Sequence, residues 1–147
     1  MKSLRNFQEF LKSGIVEKRT PDFLRAKSLV EEATKRKSFI EKMAAKLGVS
    51  DEDANYFVEN SYDVLIGLLR AKLLSVGFTA SGKGAHEAEV SYMRELTFSE
   101  ADVRFMNSLR YFRNGILYYG ERFDSEYAKK VLNFLEKMYP LLKKMVK

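Results

Sequence analysis

Proline is the residue whose scarcity most constrains the fold of this chain. Only Pro21 and Pro140 occur among 147 residues, so the interval between them is open to long helices. Apolar residues recur there at steps of three and four, the spacing of one helix face, and no useful stretch alternates as a half-buried strand does. The sequence therefore predicts an all-α fold, a bundle of four main helices with shorter ones added.

Capping residues and glycines divide the chain into predicted helices. These are a short helix from Leu4 to near Gly14, a main helix from Thr20 and Pro21 to Gly48, a main helix capped by Ser50 and ending at Gly77, a short helix over 86–96, and main helices opened by Ser99 and by Asp124 or Ser125. Residues 17–20 and 78–85 are predicted to be a connector and a loop, and Pro140 is expected to kink or end the last helix. We expect one domain over 1–147, in which 1–19 precede a bundle core over 20–147.

Composition excludes several kinds of site. The chain has no cysteine, which excludes disulfides, iron–sulfur clusters, cysteine-based zinc sites and a cysteine nucleophile. Its single histidine, His86, excludes any site that needs two histidines from one chain. We therefore expect neither a metal nor another cofactor, and a chain of this length buries enough surface to fold without either.

Charge is distributed unevenly along the chain. The formal charge is +6 in residues 1–50, −5 in residues 51–100 and +5 in residues 101–147. A surface polarised in this way attracts an anion on one side, although three solvated helix faces would give the same totals. The first residues do not form a signal peptide and no stretch is long enough to span a bilayer, so we expect a cytoplasmic protein without membrane contact.

The glycine-rich loop before the second short helix is a candidate anion site. Ser81-Gly82-Lys83-Gly84 lacks the spacing and the preceding strand of a nucleotide-binding phosphate loop, so an ordinary loop is the simpler interpretation. The loop nevertheless leads into a helix N-terminus, which can hold an anion. His86 follows at the start of that helix, as a capping or surface residue or as a ligand contact.

The segment 110–120 has the most unusual composition in the chain. Arg110 and Arg113 share one helix face, whereas Asn114 and Tyr118 share another. Arg113 and Tyr118 differ by about 140° around an ideal helix, so a common site requires a distorted helix end or a partner chain. The alternative is an arginine paired to a carboxylate beside half-buried tyrosines.

Glu59 and Asp63 lie four residues apart on the helix with the widest apolar stripe, which we expect to be central. They are candidate ion-pair partners for Arg113 or orienting groups for a reacting one. A single solvated acidic face explains the same spacing equally well.

Three segments together resemble the HEPN superfamily, the higher eukaryotes and prokaryotes nucleotide-binding domains. Residues 60–78 are similar to the family's hydrophobic second helix, and residues 82–88 to the loop and histidine that often follow it. Arg113-Asn114 followed by Tyr118 is similar to the late-helix signature of an arginine, a polar residue and, a few residues later, a histidine. Tyrosine stands here at the histidine position.

The resemblance implies an up-and-down bundle of four to five helices, of the stand-alone prokaryotic type, that forms a homodimer. In active members two signature helices meet at the dimer interface, form a basic cleft and cut RNA without a metal. Arg113 would then hold a phosphate, Asn114 would orient or hydrogen-bond the ligand, and Tyr118 would occupy the catalytic position. Several members are toxins paired with a small nucleotidyltransferase antitoxin of the MNT type.

Two functions are consistent with these features. The first is binding of RNA, a nucleotide or a nucleotidyltransferase partner through a cleft that includes Lys83, His86, Arg110 and Arg113. The second is metal-independent endoribonuclease activity, of the toxin or defence type, by the signature residues. A phenol with a pKa near 10 is a poor general base at neutral pH, which favours the first function.

Overall fold

The computed structural model describes residues 3–146 of the chain. α-Helices account for most of these residues, so the all-α prediction is confirmed at that level. In chain order the elements are α1 (Phe7–Ser13), β1 (Val16–Lys18), α2 (Phe23–Leu47), α3 (Ala54–Ser75), β2 (Phe78–Ala80), α4 (Ala85–Glu95), α5 (Glu100–Tyr119) and α6 (Ser125–Met145). No helix in the described range combines the length and the hydrophobicity that crossing a membrane requires.

Helix α3 lies at the centre of the packing, as its wide apolar stripe predicts. It contacts α2, α4, α5 and α6, and Val58, Leu65 and Leu69 on it are fully buried. Each side chain of this kind contributes about 1.5–3 kcal/mol when it is removed from water. The buried helix also carries polar residues, among them Tyr62 and Arg70, into the space beneath α4.

The predicted connector 17–20 and loop 78–85 each contribute residues to a two-stranded sheet instead. Strands β1 and β2 pair antiparallel, with Val16 opposite Ala80. Three-residue strands are too short to show alternation in the sequence, so tertiary contacts decide them. Val16 is buried in a small apolar cluster with the aromatic residues of α1, and this contact holds the start of the chain beside the loop that precedes α4.

The start of α2 differs from the prediction. The helix begins at Phe23 with Asp22 as its cap, rather than at Pro21 after Thr20. The Asp22 carboxylate accepts the N–H of Arg25 at 3.0 Å, which is the bond an N-cap makes. The N–H of Asp22 donates to a carbonyl at the end of α3, also at 3.0 Å, and so keeps the preceding residues outside the helix.

Two further helix boundaries also differ. Ser50 accepts the N–H of Asp53 at 3.2 Å and closes a turn, so α3 begins only after that turn. Helix α6 does not end at Pro140 but continues for five more residues. Met138 and Leu142 are buried on either side of the proline, and this packing keeps the final turns against the core.

The start of α5 is fixed as predicted, and so is the start of α6. Ser99 accepts the N–H of Asp102 at 3.1 Å, and Asp124 accepts the N–H of Tyr127 at 2.9 Å. A cap of this kind stabilises the protein by about 1 kcal/mol. Helix α5 runs to Tyr119 and Gly120 ends it in the left-handed region, with φ +67°, so Arg113, Asn114 and Tyr118 all lie within the helix.

Candidate functional site

A cleft of about 1030 Å³ lies between the C-terminal half of α5 and the N-terminal end of α4. Its lining includes all six residues predicted to bind ligand or to react, namely Lys83, His86, Arg110, Arg113, Asn114 and Tyr118. Arg5 and Glu87, which the sequence did not suggest, line it as well. Four cationic side chains therefore face one carboxylate, and we refer to this space as the basic cleft.

The signature residues enter the cleft from a regular helix. α5 is α-helical from Glu100 to Tyr119, so no distorted end brings Arg113 and Tyr118 together. The cleft is instead wide enough to be lined by neighbouring faces of the helix. The distorted helix end is therefore absent, Arg113 and Tyr118 both line the cleft from a regular helix, and a contribution from a partner chain stays a prediction.

The loop that carries Lys83 depends on two glycines. Gly82 has φ +75° and Gly84 has φ +94°, a region that residues with a Cβ avoid. A Cβ on Gly84 would also lie 3.2 Å from Cδ1 of Ile15. The N–H of Ser81 donates to the Ile15 carbonyl at 3.0 Å, so the strand pair holds the loop at the edge of the cleft.

The N-terminal end of α4 borders the cleft without a side-chain cap. Its N-cap residue is Gly84, and within residues 3–146 the backbone N–H groups of His86 and Glu87 have no hydrogen-bond partner. Unpaired N–H groups and the helix dipole both attract negative charge at this position. The cleft therefore offers backbone donors in addition to cationic side chains.

Within residues 3–146 Arg110 and Lys83 are cations of the cleft without a salt bridge, although the pKa of the nearby Glu87, which burial raises, is lowered by the charges of Arg5 and Arg110. Nε of Arg110 donates to Oδ1 of Asn107 at 3.0 Å, and in residues 3–146 neither cation forms a salt bridge. Arg5 differs, because its guanidinium lies 3.1 Å from the Glu87 carboxylate. Arg110 and Lys83 are therefore the two cations best able to meet an external anion.

Arg113 is tied to the central helix. Its Nη2 lies 3.2 Å from Oδ1 of Asp63, and its guanidinium lies 5.8 Å from the ring centroid of Tyr62. The Asp63 carboxylate is also 3.8 Å from Nη1 of Arg36, so one anion is shared by two cations. The side chains of Arg113 and Asp63 remain 22% and 29% exposed, which leaves the arginine paired yet within reach of a ligand.

Glu59 and Asp63 do not line the basic cleft. Burial raises the pKa of Glu59, while the nearby Arg113 lowers it and Asp63 raises it. Among residues 3–146 no group of three or more histidine, aspartate and glutamate side chains is arranged to hold a metal ion. The two carboxylates therefore act on Arg113, through the ion pair of Asp63 and the charge of Glu59.

His86 is held from beneath by a polar network that the sequence did not reveal. Arg70 binds Glu89 through two hydrogen bonds of 2.6 and 2.9 Å, and the glutamate is 1% exposed. Nη2 of Arg70 also lies 3.3 Å from Nε2 of His86, and Oη of Tyr62 lies 3.1 Å from Nδ1. A lone arginine within the apolar stripe of α3 was the only sequence signal for this network.

These contacts determine where the proton of His86 lies. A guanidinium only donates hydrogen bonds, so Nε2 accepts from Arg70 and Nδ1 carries the proton that it donates to Tyr62. Burial lowers the pKa of His86, and the charges of Arg70 and Arg113 lower it further. At neutral pH the ring is uncharged and its acceptor nitrogen is occupied.

Comparison of the chain with protein-family models, with curated proteins and with solved structures finds no match. The HEPN resemblance therefore stays a prediction.

Proposed function

We propose that this chain binds RNA or a nucleotide through phosphate contacts in the basic cleft and does not cleave it. The observation that carries the proposal is the convergence of six sequence-predicted residues on one cleft. Phosphate groups are bound by arginine and lysine side chains and by free N–H groups at helix N-termini, and this cleft has all three. Arg110 and Lys83 supply the charge, and Arg113 adds a third cation that Asp63 holds in place.

Cleavage is disfavoured by the protonation of the candidate bases. Metal-independent RNA cleavage needs a group that removes the proton of the attacking 2′-hydroxyl. The acceptor nitrogen of His86 already binds Arg70, and Tyr118 offers a phenol, which is a poor base at neutral pH. Binding without catalysis is therefore the function that this geometry supports best.

The wider HEPN interpretation is part of the same proposal. It comprises the up-and-down bundle, the homodimer, the cytoplasmic location and a small MNT-type nucleotidyltransferase as a second partner. A dimer that joined two basic clefts would double the cationic surface presented to one RNA strand.

Fluorescence anisotropy with a short labelled RNA, in EDTA and over a salt series, tests the proposal. We expect binding that weakens steeply with salt, with a log–log slope that falls by about 0.7 for each phosphate contact removed from a single strand. Arg110→Ala and Lys83→Ala should each reduce affinity and slope. Arg104→Ala, an exposed cation on α5 outside the cleft, is the matched control and should change neither.

Two results would contradict the proposal. An equal loss in the Arg104→Ala variant would indicate nonspecific attraction to a basic protein rather than binding in the cleft. Cleavage of the labelled RNA in EDTA, abolished by Arg113→Ala, would establish the endoribonuclease function instead. Circular dichroism of each variant verifies that the helices are intact.

A further inference from the structure

The C-terminal end of α5 exposes three consecutive large apolar side chains. Leu117, Tyr118 and Tyr119 are 48%, 74% and 82% exposed. An uninterrupted run of exposed apolar side chains is unfavourable on a surface in contact with water unless it serves a function. Of the three residues only Tyr118 lines the basic cleft, which places an exposed aromatic ring beside the cationic groups.

The ring of Tyr118 is free to receive a ligand. Among residues 3–146 it makes no hydrogen bond and no aromatic pair, whereas the neighbouring rings of Phe112, Phe123 and Tyr127 pack against one another. Tyr118 instead offers its ring faces to the solvent in the cleft.

Arg110, Asn114 and Tyr118 follow one another at steps of four residues along α5. Each step of four residues turns about 40° around the helix, so the three residues form an oblique row about 12 Å long along one side of α5. The row presents a guanidinium, an amide and an aromatic ring in that order, and all three line the cleft. The cleft volume of about 1030 Å³ lies at the upper limit of pockets that enclose a single small ligand.

From this arrangement we infer that the basic cleft takes a single-stranded nucleic acid, with one unpaired base stacked on the ring of Tyr118. The inference rests on the proposed function and specifies its ligand. A backbone phosphate meets Arg110 while the base reaches the ring at the other end of the row. A duplex is excluded from this contact because its bases are already paired and stacked. The ring, and not the hydroxyl, is the part of Tyr118 that acts.

Two substitutions at Tyr118 separate the ring from its hydroxyl. Tyr118→Phe keeps the aromatic face, and Tyr118→Leu keeps apolar bulk without it. Anisotropy titrations use a labelled single-stranded RNA, a DNA of the same sequence, an RNA duplex and ATP as probes. We expect Tyr118→Phe to bind the single strands with unchanged affinity, and Tyr118→Leu to lose about 5-fold to 150-fold, as base stacking on aromatic residues predicts.

Tyr119→Leu is the matched control, because this neighbouring tyrosine is even more exposed and does not line the cleft. It should leave affinity unchanged. The duplex should bind more weakly than the single strands and should be insensitive to Tyr118→Leu, because its bases are already stacked. ATP should bind more weakly because it offers one base and no further backbone, and ATP binding as tight as that of the single strands would overturn the assignment of a strand. Equal binding of RNA and DNA would agree with stacking as the main contact, and a preference for RNA would agree with stacking and identify RNA as the ligand.

Several outcomes would overturn the inference. Salt-dependent binding that needs Arg110 but is unchanged by Tyr118→Leu would remove the stacking contact and leave the proposed function standing. An equal loss in Tyr118→Phe would assign the role to the hydroxyl. Unchanged binding together with loss of a dimer in Tyr118→Leu, measured by sedimentation, would assign the patch to self-association. Absence of any binding by the wild type would overturn both proposals.

Discussion

Replacing Arg70 by methionine tests whether the network beneath His86 is held together by one buried ion pair. Arg70 is the only cation bonded to Glu89 in residues 3–146, and Glu89 is 1% exposed. Removing one partner of a buried pair costs about 3–5 kcal/mol, because the remaining charge is left without compensation. Arg70 itself is 33% exposed, so water penetrates the site and we expect the lower end, about 3 kcal/mol.

The loss should depend on pH in a defined direction. Burial already raises the pKa of Glu89 above its usual value near 4.5, and Arg70 opposes that rise. Without Arg70 the native state holds the Glu89 proton to a higher pH than the unfolded chain does. Stability of the variant then falls, relative to wild type, by up to about 1.4 kcal/mol per pH unit once pH rises above the native pKa of Glu89 in the wild type, which burial already places above 4.5.

Chemical denaturation of wild type and variant between about pH 4.5 and pH 8 measures the loss in free energy of unfolding and the change of that loss with pH. At neutral pH we expect the melting temperature to fall by about 10 °C for a chain of this size. The double variant Arg70→Met/Glu89→Leu is the control, because replacing a buried pair by apolar groups is often close to neutral. It should recover most of the loss and remove its pH dependence.

A loss below about 1 kcal/mol that is the same at every pH would refute the reasoning, because it would mean that Glu89 does not depend on Arg70 for its charge. A double variant as unstable as Arg70→Met would point to lost packing around the arginine stem instead.

Three further predictions concern local features. Gly77→Ala should lower the free energy of unfolding by more than about 1–2 kcal/mol, because φ is +89° and the new Cβ would lie 2.7 Å from the Arg19 carbonyl oxygen. Gly14→Ala, with φ +82° and open space around the new Cβ, should lose only the cost of the left-handed backbone, and denaturant titrations compare the two variants. Ser99→Ala should lose about 1 kcal/mol through the α5 cap, and an unchanged midpoint would contradict that role. His86 is the single histidine, so nuclear magnetic resonance should report one imidazole that is protonated at Nδ1 and has a pKa below the usual value near 6.5. The neutral ring stabilises the fold above pH 6.5, and this contribution is lost as pH falls. A His86 pKa above 6.5 would contradict the network.

The helices themselves were predictable because their signals are local. Periodic apolar residues, the caps at Ser99 and Asp124 and the glycine after α5 act within one or two turns, and each predicts a boundary that the structure contains. The boundaries that were wrong involve distant partners. Asp22 replaces Thr20 as a cap because the chain there is bonded to the end of α3.

The candidate site was predictable residue by residue but not as an arrangement. The sequence singled out Lys83, His86, Arg110 and Tyr118, which lie on two helices and a loop, and it gave no distance between them. The network beneath His86 could not be predicted, because Arg70 was its only signal and nothing in the sequence joins it to Tyr62 and Glu89 until the helices pack.

The sequence by itself determined that this chain is helical, that it has no disulfide or cysteine ligand, and that residues 101–147 are basic. These properties depend on composition and on neighbours within a few residues. Only the tertiary structure decided that β1 pairs with β2 and that Arg113 is bound to Asp63. It also decided that His86 is held between Arg70 and Tyr62, so that its acceptor nitrogen is already hydrogen-bonded and does not serve as a general base. The physical reason is that charge, burial and hydrogen bonding at a site are set by residues far apart in the chain, and packing alone brings them within bonding distance.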